Sequence, residues 1–297
     1  MFGVLLAALL TVADLHPIAT VVTGGTPDWM AISPDSVWVA NDAIRSVQRI
    51  DSRTNRVTAT IPVSGEPCSG LIFAFGSLWV PVCGSHPSLD RIDPDANAVA
   101  AVFPLPPRNS EGGITASKDS IWLATSDGAL TQIDPNTGGR RRRIAIPSGS
   151  FNPFYAGGVV WLTSGEYDEL LAIDARAGTV LARIPVGSKP RFLTAGAGFV
   201  WTLNQGDGTI TKVDAASKRV VASIDAGIPG RGGEIAYGDG SVWATLVRTP
   251  LTRIDARTNR IVGQWHGSGG DAVRFGHQSV WLTDYRGGRV WRIPPPG

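Results

Sequence analysis

The chain has little of what metal enzymes, nucleic-acid binders and membrane proteins usually carry. Of its 297 residues only two are cysteine, two methionine and four histidine, and 18% are charged, with a formal net charge of +2. Two cysteines with no paired histidines cannot complete the four ligands of a structural zinc site. So even a balance of charge gives no broad field to recruit nucleic acid or an anionic membrane. No apolar run approaches the ~20 residues that a membrane-spanning helix needs. A hydrophobic share of 43% excludes an intrinsically disordered chain. What the chain has in abundance is glycine, 36 residues, alongside 21 prolines. That composition describes short strands joined by tight turns.

The longest apolar run, Phe2 to Val12, is too short to cross a bilayer but suits the hydrophobic stretch of a secretory signal, with Thr11 and Ala13 as small residues near a cleavage point. No Lys or Arg precedes Arg45, so only the α-amino group supplies the positive charge of such a signal. The expectation is a signal peptide over 1–13, a single domain over 14–297, and a periplasmic or secreted location with no membrane span after processing. The alternative is an ordinary buried N-terminal segment.

The dominant signal is a repeat. An aliphatic residue followed by tryptophan recurs seven times, at Trp38, Trp79, Trp122, Trp161, Trp201, Trp243 and Trp281, with spacings of 38 to 43 residues. Behind each of the first six, by 12 to 14 residues, comes an aliphatic residue followed by aspartate: Asp51, Asp93, Asp134, Asp174, Asp214 and Asp255. A period near 40 with alternating strands and glycine turns predicts one four-stranded propeller blade per unit. The fold class expected is all-β, a seven-bladed β-propeller. The seventh unit stops at Pro294 before an outer strand, whereas Pro17 to Thr23 precede the first inner strand and match the missing one. The N-terminal strand should therefore close the last blade. The tryptophans read as inter-sheet packing and the aspartates as turn caps, because chemistry seldom needs equivalent copies around a ring.

Gly76-Ser77-Leu78-Trp79-Val80, Leu89-Asp90-Arg91-Ile92-Asp93-Pro94 and Gly187-Ser188-Lys189-Pro190-Arg191 resemble the blade motifs of bacterial YVTN-type propellers and of the wider group that includes virginiamycin B lyase. The resemblance covers nearly the whole chain. It implies a seven-bladed propeller with a site on one face, and the lyases of that group open a cyclic depsipeptide by magnesium-assisted elimination with histidine as base. Here His16, His86, His266 and His277 form no pair in a matching motif, so no catalytic residue carries over.

In a four-stranded blade, the loops entering the inner strands and those joining second to third strands emerge on one face. Ten residues before the marker tryptophans stand Asp28, Ser69, Gly112, Arg191, Gly233 and Asp271, with the fourth unit near Asn152. Asp28, Glu234 and Asp271 fall in units that become neighbours on ring closure. They predict an acidic arc, with Glu111 elsewhere on the ring and Arg191 beside it. Three acids adjoin paired glycines, in Glu111-Gly112-Gly113, Gly232-Gly233-Glu234 and Gly269-Gly270-Asp271. Glycine permits close backbone approach, so Glu234 and Asp271 could converge on Mg²⁺ or Ca²⁺. The same glycines fit the crowding of inner strands at the axis, and the alternative for the acids is pairing with Lys189, Arg191 or Arg231. The second set of loops adds Asn41, Asp42, His86, Glu166, Tyr167, Asn204, Gln205, Arg248, Asp284 and Tyr285, of which Asn204 and Tyr285 join the expected ligand-binding set. His266 lies in the loop leading to Asp271, where it would be a base or simply a solvated residue. Cys68 and Cys83 fall on adjacent strands of the hairpin turning at Phe75 and Gly76, within disulfide reach, which suits an exported protein.

Other patterns fail on context. Gly267-Ser268-Gly269-Gly270-Asp271-Ala272 fits a dinucleotide-loop pattern but precedes a strand, and Asp93 to Asn97 opens like a calcium loop with Ala98 where glycine is needed. The run Arg140 to Arg143 enters an outer strand, where charge discourages edge pairing. The functional expectation is a monomeric exported propeller that binds a small polar or peptide-like ligand in an acidic funnel, with Arg191 anchoring an anionic group and nucleic acid not a partner. Its alternatives are a metal-assisted lyase or hydrolase on Glu234, Asp271 and His266, and a protein-interaction scaffold using the rim loops.

Overall fold

Alternating strands with a buried tryptophan in each unit assemble as the period demands. The computed structural model describes residues 10–108, 113–227, 230, 232–246, 249–267 and 269–295. They form seven antiparallel sheets arranged as the blades of a propeller, and each blade runs from an inner strand to an outer one. Blade 1 shows the plan with Pro27–Ile32, Ser36–Asn41, Ser46–Asp51 and Arg56–Pro62. In the outer strand burial alternates with exposure, whereas the second strand is buried along its whole length.

Closure occurs as the sequence predicts. Ala19–Val22 pairs antiparallel with Arg289–Ile293 and supplies the outer strand of blade 7, which otherwise holds Val273–Gly276 and Ser279–Asp284. Val21, in that closing strand, is buried beside Val290 and Trp281. Just upstream, Val12–Leu15 forms a 3-10 turn whose Val12 and Leu15 pack with Trp265, Trp243 and Leu251, and the His266 N–H donates to the Leu10 carbonyl at 2.7 Å. The expected signal boundary at residue 13 would cut through this packed turn. The rest of that apolar run, 1–9, lies outside the described residues. No helix among those described is long and apolar enough to cross a membrane.

All seven marker tryptophans have no exposed surface. They fill the space between adjacent sheets, and truncating any one to alanine should cost about 3–5 kcal/mol. The marker aspartates cap turns. Asp51 Oδ1 accepts from the N–H groups of Arg53 and Thr54 at 3.0 and 2.7 Å, and Asp93, Asp134, Asp174, Asp214 and Asp255 repeat the arrangement. Those donors favour the ionised form and hold the Asp51 carboxyl below its usual range. Arg141 and Arg143, in the outer strand Arg140–Ala145, pair with Asp134 and Asp127. In blade 2 the innermost strand is split into Glu66–Pro67 and Ile72–Ala74, both paired with Ser77–Cys83, and a disulfide joins Cys68 to Cys83 with Cα atoms 5.6 Å apart.

Candidate functional site

Seven inner strands converge on an axis that their own side chains close. Trp29 of blade 1 and Phe192 of blade 5 meet with ring centroids 5.9 Å apart, although their blades are not neighbours. Both rings line a small acidic chamber, together with Asp28, Glu234, Asp271 and Gly233. Phe192 and Glu234 also line a mainly apolar channel of about 300 Å³ along the inner strands.

The acids of the chamber come from three consecutive blades. Asp28 opens blade 1, Asp271 precedes the inner strand of blade 7, and Glu234 precedes that of blade 6. Asp28 is pushed well above the ordinary carboxylate range, first by burial and then by the charges of Asp271 and Asp42. The Gly233 N–H donates to Asp271 Oδ1 at 3.2 Å, and the Thr245 hydroxyl donates to the Asp271 carbonyl. Gly233 adopts φ +83 and a Cβ there would stand 1.9 Å from the Thr245 carbonyl oxygen, so only glycine lets the strand pass so close.

Glu234 has a different role. Its carboxylate pairs with the Arg274 guanidinium and accepts from the Val273 N–H at 3.2 Å. Burial raises its pKa while Arg274 opposes the rise. Arg274 carried no signal beyond its type. Together with Arg191 it is a cation on an inner strand, the position from which a side chain faces the axis.

Asp42, in the loop after the second strand of blade 1, extends the acidic group outward. Burial, with the charge of Glu66 next, raises it to about 6. One carboxylate oxygen accepts from the Tyr285 hydroxyl at 3.4 Å, and the other is buried with no hydrogen-bond partner among the described residues. Tyr285 is itself raised by burial and by Asp42.

Next to the acids the face changes sign. A cavity of about 600 Å³ is lined by Phe151, Lys189, Arg191, Gln205, Glu166 and Gly232, the last of which it shares with the acidic chamber. The Arg191 guanidinium lies 4.1 Å from the Phe151 ring centroid, and Arg108 approaches the same ring at 5.7 Å. Phe151 stands ten residues before Trp161, on the same register as Asp28 and Arg191, and was missed because the fourth unit was placed at Asn152 instead; Arg108 lies off the register.

Of the expected site residues, the structure brings Asp28, Glu234 and Asp271 together, sets Tyr285 against Asp42, and places Arg191 in the adjoining cavity. Asn204 is fully buried, and its amide is occupied by Thr202, Thr209 and Thr211. His266 follows the outermost strand of blade 6, bridged to Thr11, and does not line the chamber. Glu111, like Arg231 and Arg248, lies outside the described residues. A metal does not fit the acids that are described: among the described residues no three His, Cys, Asp or Glu side chains converge on a point that could hold an ion, and Glu234 is committed to Arg274.

The chain is thus a seven-bladed β-propeller with a charged face divided between acids and cations. No family model matches it, and no curated protein matches it in sequence. Solved structures do match. A streptogramin B lyase superposes with a TM-score of 0.75 at 18% identity, covering 92% of this chain and 94% of that one. A catalytically inactive histidine-to-alanine variant of virginiamycin B lyase from Staphylococcus aureus, with quinupristin, gives 0.77 at 16%, covering 92% and 96%. BamB from Moraxella catarrhalis gives 0.64 at 13%, covering 92% and 85%. At such identities the likeness is one of fold, and this chain shares the seven-bladed propeller of these proteins.

Proposed function

We propose that this protein is an exported binding propeller whose ligand is a small, peptide-like molecule carrying an amine at one end and an anionic group at the other. The observation that carries the reading is the acidic chamber of Asp28 and Asp271, which adjoins the Arg191 cavity at Gly232. The chamber, of about 30 Å³, has room for one water-sized group, the size of an ammonium head. An ammonium would neutralise two acids that otherwise repel each other, and it would do so where burial makes the charge interaction strong. Arg191, stacked on Phe151, would bring its positive charge to a carboxylate, and the larger cavity would hold the remainder. Export is supported by the disulfide, which persists in oxidising compartments.

The test is calorimetric titration with short dipeptides in three forms: free, N-acetylated and C-amidated. Acetylation should abolish binding, amidation should weaken it about tenfold, and Asp271→Asn should mimic the loss caused by acetylation. Equal affinity for the free and acetylated forms would remove the acidic chamber from the site. Binding should strengthen as pH rises, because the acids must surrender protons to receive a cation.

A further inference from the structure

One layer of the repeat lines the channel along the inner strands. In every blade a single inner-strand residue pairs across the hairpin with the marker tryptophan, and all seven of these residues face the channel. Six are uncharged: Ala31, Ile72, Thr115, Phe154, Thr194 and Ala236. The seventh is Arg274, opposite Trp281 in blade 7. One residue nearer the hairpin turns, Ile32, Phe73, Tyr237 and Phe275 continue the wall. At the other end stand Phe192 and Glu234, which the channel shares with the acidic chamber.

Arg274 is the one cation among the described residues that line this space. Its Nη1 donates to the Val273 carbonyl at 2.8 Å and pairs with Glu234. A guanidinium carries five N–H donors in a planar fork. Neither Nε nor Nη2 of Arg274 has a hydrogen-bond partner among the described residues, and both keep accessible surface although the side chain is only 24% exposed. A second polar group in the same layer is in the same condition. Thr194 is 4% exposed, yet its hydroxyl makes no hydrogen bond among the described residues.

Donors left open in an otherwise uncharged layer call for an acceptor, and Glu234 decides which kind. It already balances the Arg274 charge, so an anion here would add an uncompensated negative charge to a half-buried site. An uncharged carbonyl meets the same donors without that cost. The channel holds about 300 Å³, and a cavity of about 150 Å³ is enough for a benzene ring.

We propose that the channel binds a small, uncharged, mainly apolar molecule carrying a ketone or ester carbonyl. The carbonyl oxygen would accept from the free edge of the Arg274 guanidinium and from the Thr194 hydroxyl, while Ile72, Phe73 and Phe154 take the apolar part. The site is independent of the amine-binding function proposed above, because neither Asp28 nor Asp271 lines the channel.

The test is titration with three molecules of nearly one shape: acetophenone, ethylbenzene, which lacks the acceptor, and benzoate, which adds the charge. Binding is followed at the Ile32 and Ile72 methyl resonances, assigned by replacing each residue with valine. Acetophenone should shift both saturably, ethylbenzene should bind about tenfold more weakly, and benzoate should not saturate. Arg274→Lys keeps a cation for Glu234 but removes the free edge of the fork, so it should bring acetophenone down to the affinity of ethylbenzene and leave ethylbenzene unchanged. Should that variant not fold, Thr194→Val replaces the hydroxyl by a methyl of the same size and should weaken acetophenone alone, by about fivefold. Equal binding of acetophenone and ethylbenzene, benzoate binding as tightly as the ketone, no saturable shift at Ile32 and Ile72, or undiminished acetophenone binding in either variant would each overturn the proposal.

Discussion

Asp28 of blade 1 and Asp271 of blade 7 line one small chamber, and burial together with the charge of Asp271 holds the Asp28 carboxyl well above the ordinary range. Asp28 therefore holds its proton at pH values where an exposed aspartate has lost its own. The folded state therefore binds that proton more tightly than the unfolded chain. Stability is greatest below the ordinary carboxylate value and declines as pH rises through the raised one. Asp28→Asn keeps a hydrogen-bonding group and removes the repulsion. It should stabilise the protein at pH 8 by about 1–2 kcal/mol and leave it unchanged near pH 4. Urea unfolding at the two pH values checks this, and an equal effect at both would show that the pair is not the cause.

Asp42 gives a second, separable titration. Its pKa is raised from 3.8 to about 6, so its contribution to stability is full below 3.8 and is lost as pH rises to about 6. Because Asp42 is only half-buried, solvent screening limits the loss to about 1–2 kcal/mol. The Tyr285 hydroxyl favours the ionised form, so Tyr285→Phe should move the Asp42 titration upward. Carboxyl-carbon NMR of the variant measures this directly. A downward shift would mean that Tyr285 does not donate to Asp42.

Glu234 and Arg274 are argued as a pair. The glutamate side chain is 7% exposed and the arginine 24%, so removing either leaves a largely buried charge without its partner. Glu234→Ala should cost about 3 kcal/mol, whereas Glu234→Ala combined with Arg274→Met should recover much of that loss. Additive losses in the double-mutant cycle would show that the two do not act together.

The blades were legible in the sequence because each repeats one physical requirement: a buried tryptophan between sheets and a carboxylate at a turn. Counting back from Trp38, Trp243 and Trp281 also located Asp28, Gly233 and Asp271, since the inner strands share a register. The same counting could not reveal that Glu234 turns to Arg274, because that depends on side-chain direction within one strand. Nor could it show that Asn204 is consumed by Thr202, Thr209 and Thr211, a network closed within its own hairpin. His266 was misplaced by proximity in sequence: it stands five positions from Asp271, but it follows the outer strand of blade 6, whereas Asp271 precedes the inner strand of blade 7.

The disulfide offers the last test, since it lies where the inner strand of blade 2 is interrupted. Cys68 and Cys83 are 15 residues apart, and closing a loop of that length restricts the unfolded chain by about 3 kcal/mol. Cys68 also donates its N–H to the Pro81 carbonyl at 3.2 Å, so part of the local pairing survives reduction. Replacing both cysteines by alanine should therefore lower stability by about 2–3 kcal/mol, and dithiothreitol should do the same to the native protein. Hydrogen exchange should rise first in the segment between Pro67 and Ile72, which the disulfide bridges where ladder pairing is broken. If reduction left both stability and exchange unchanged, the bridge would not be a structural tie, and its support for an oxidising compartment would go with it.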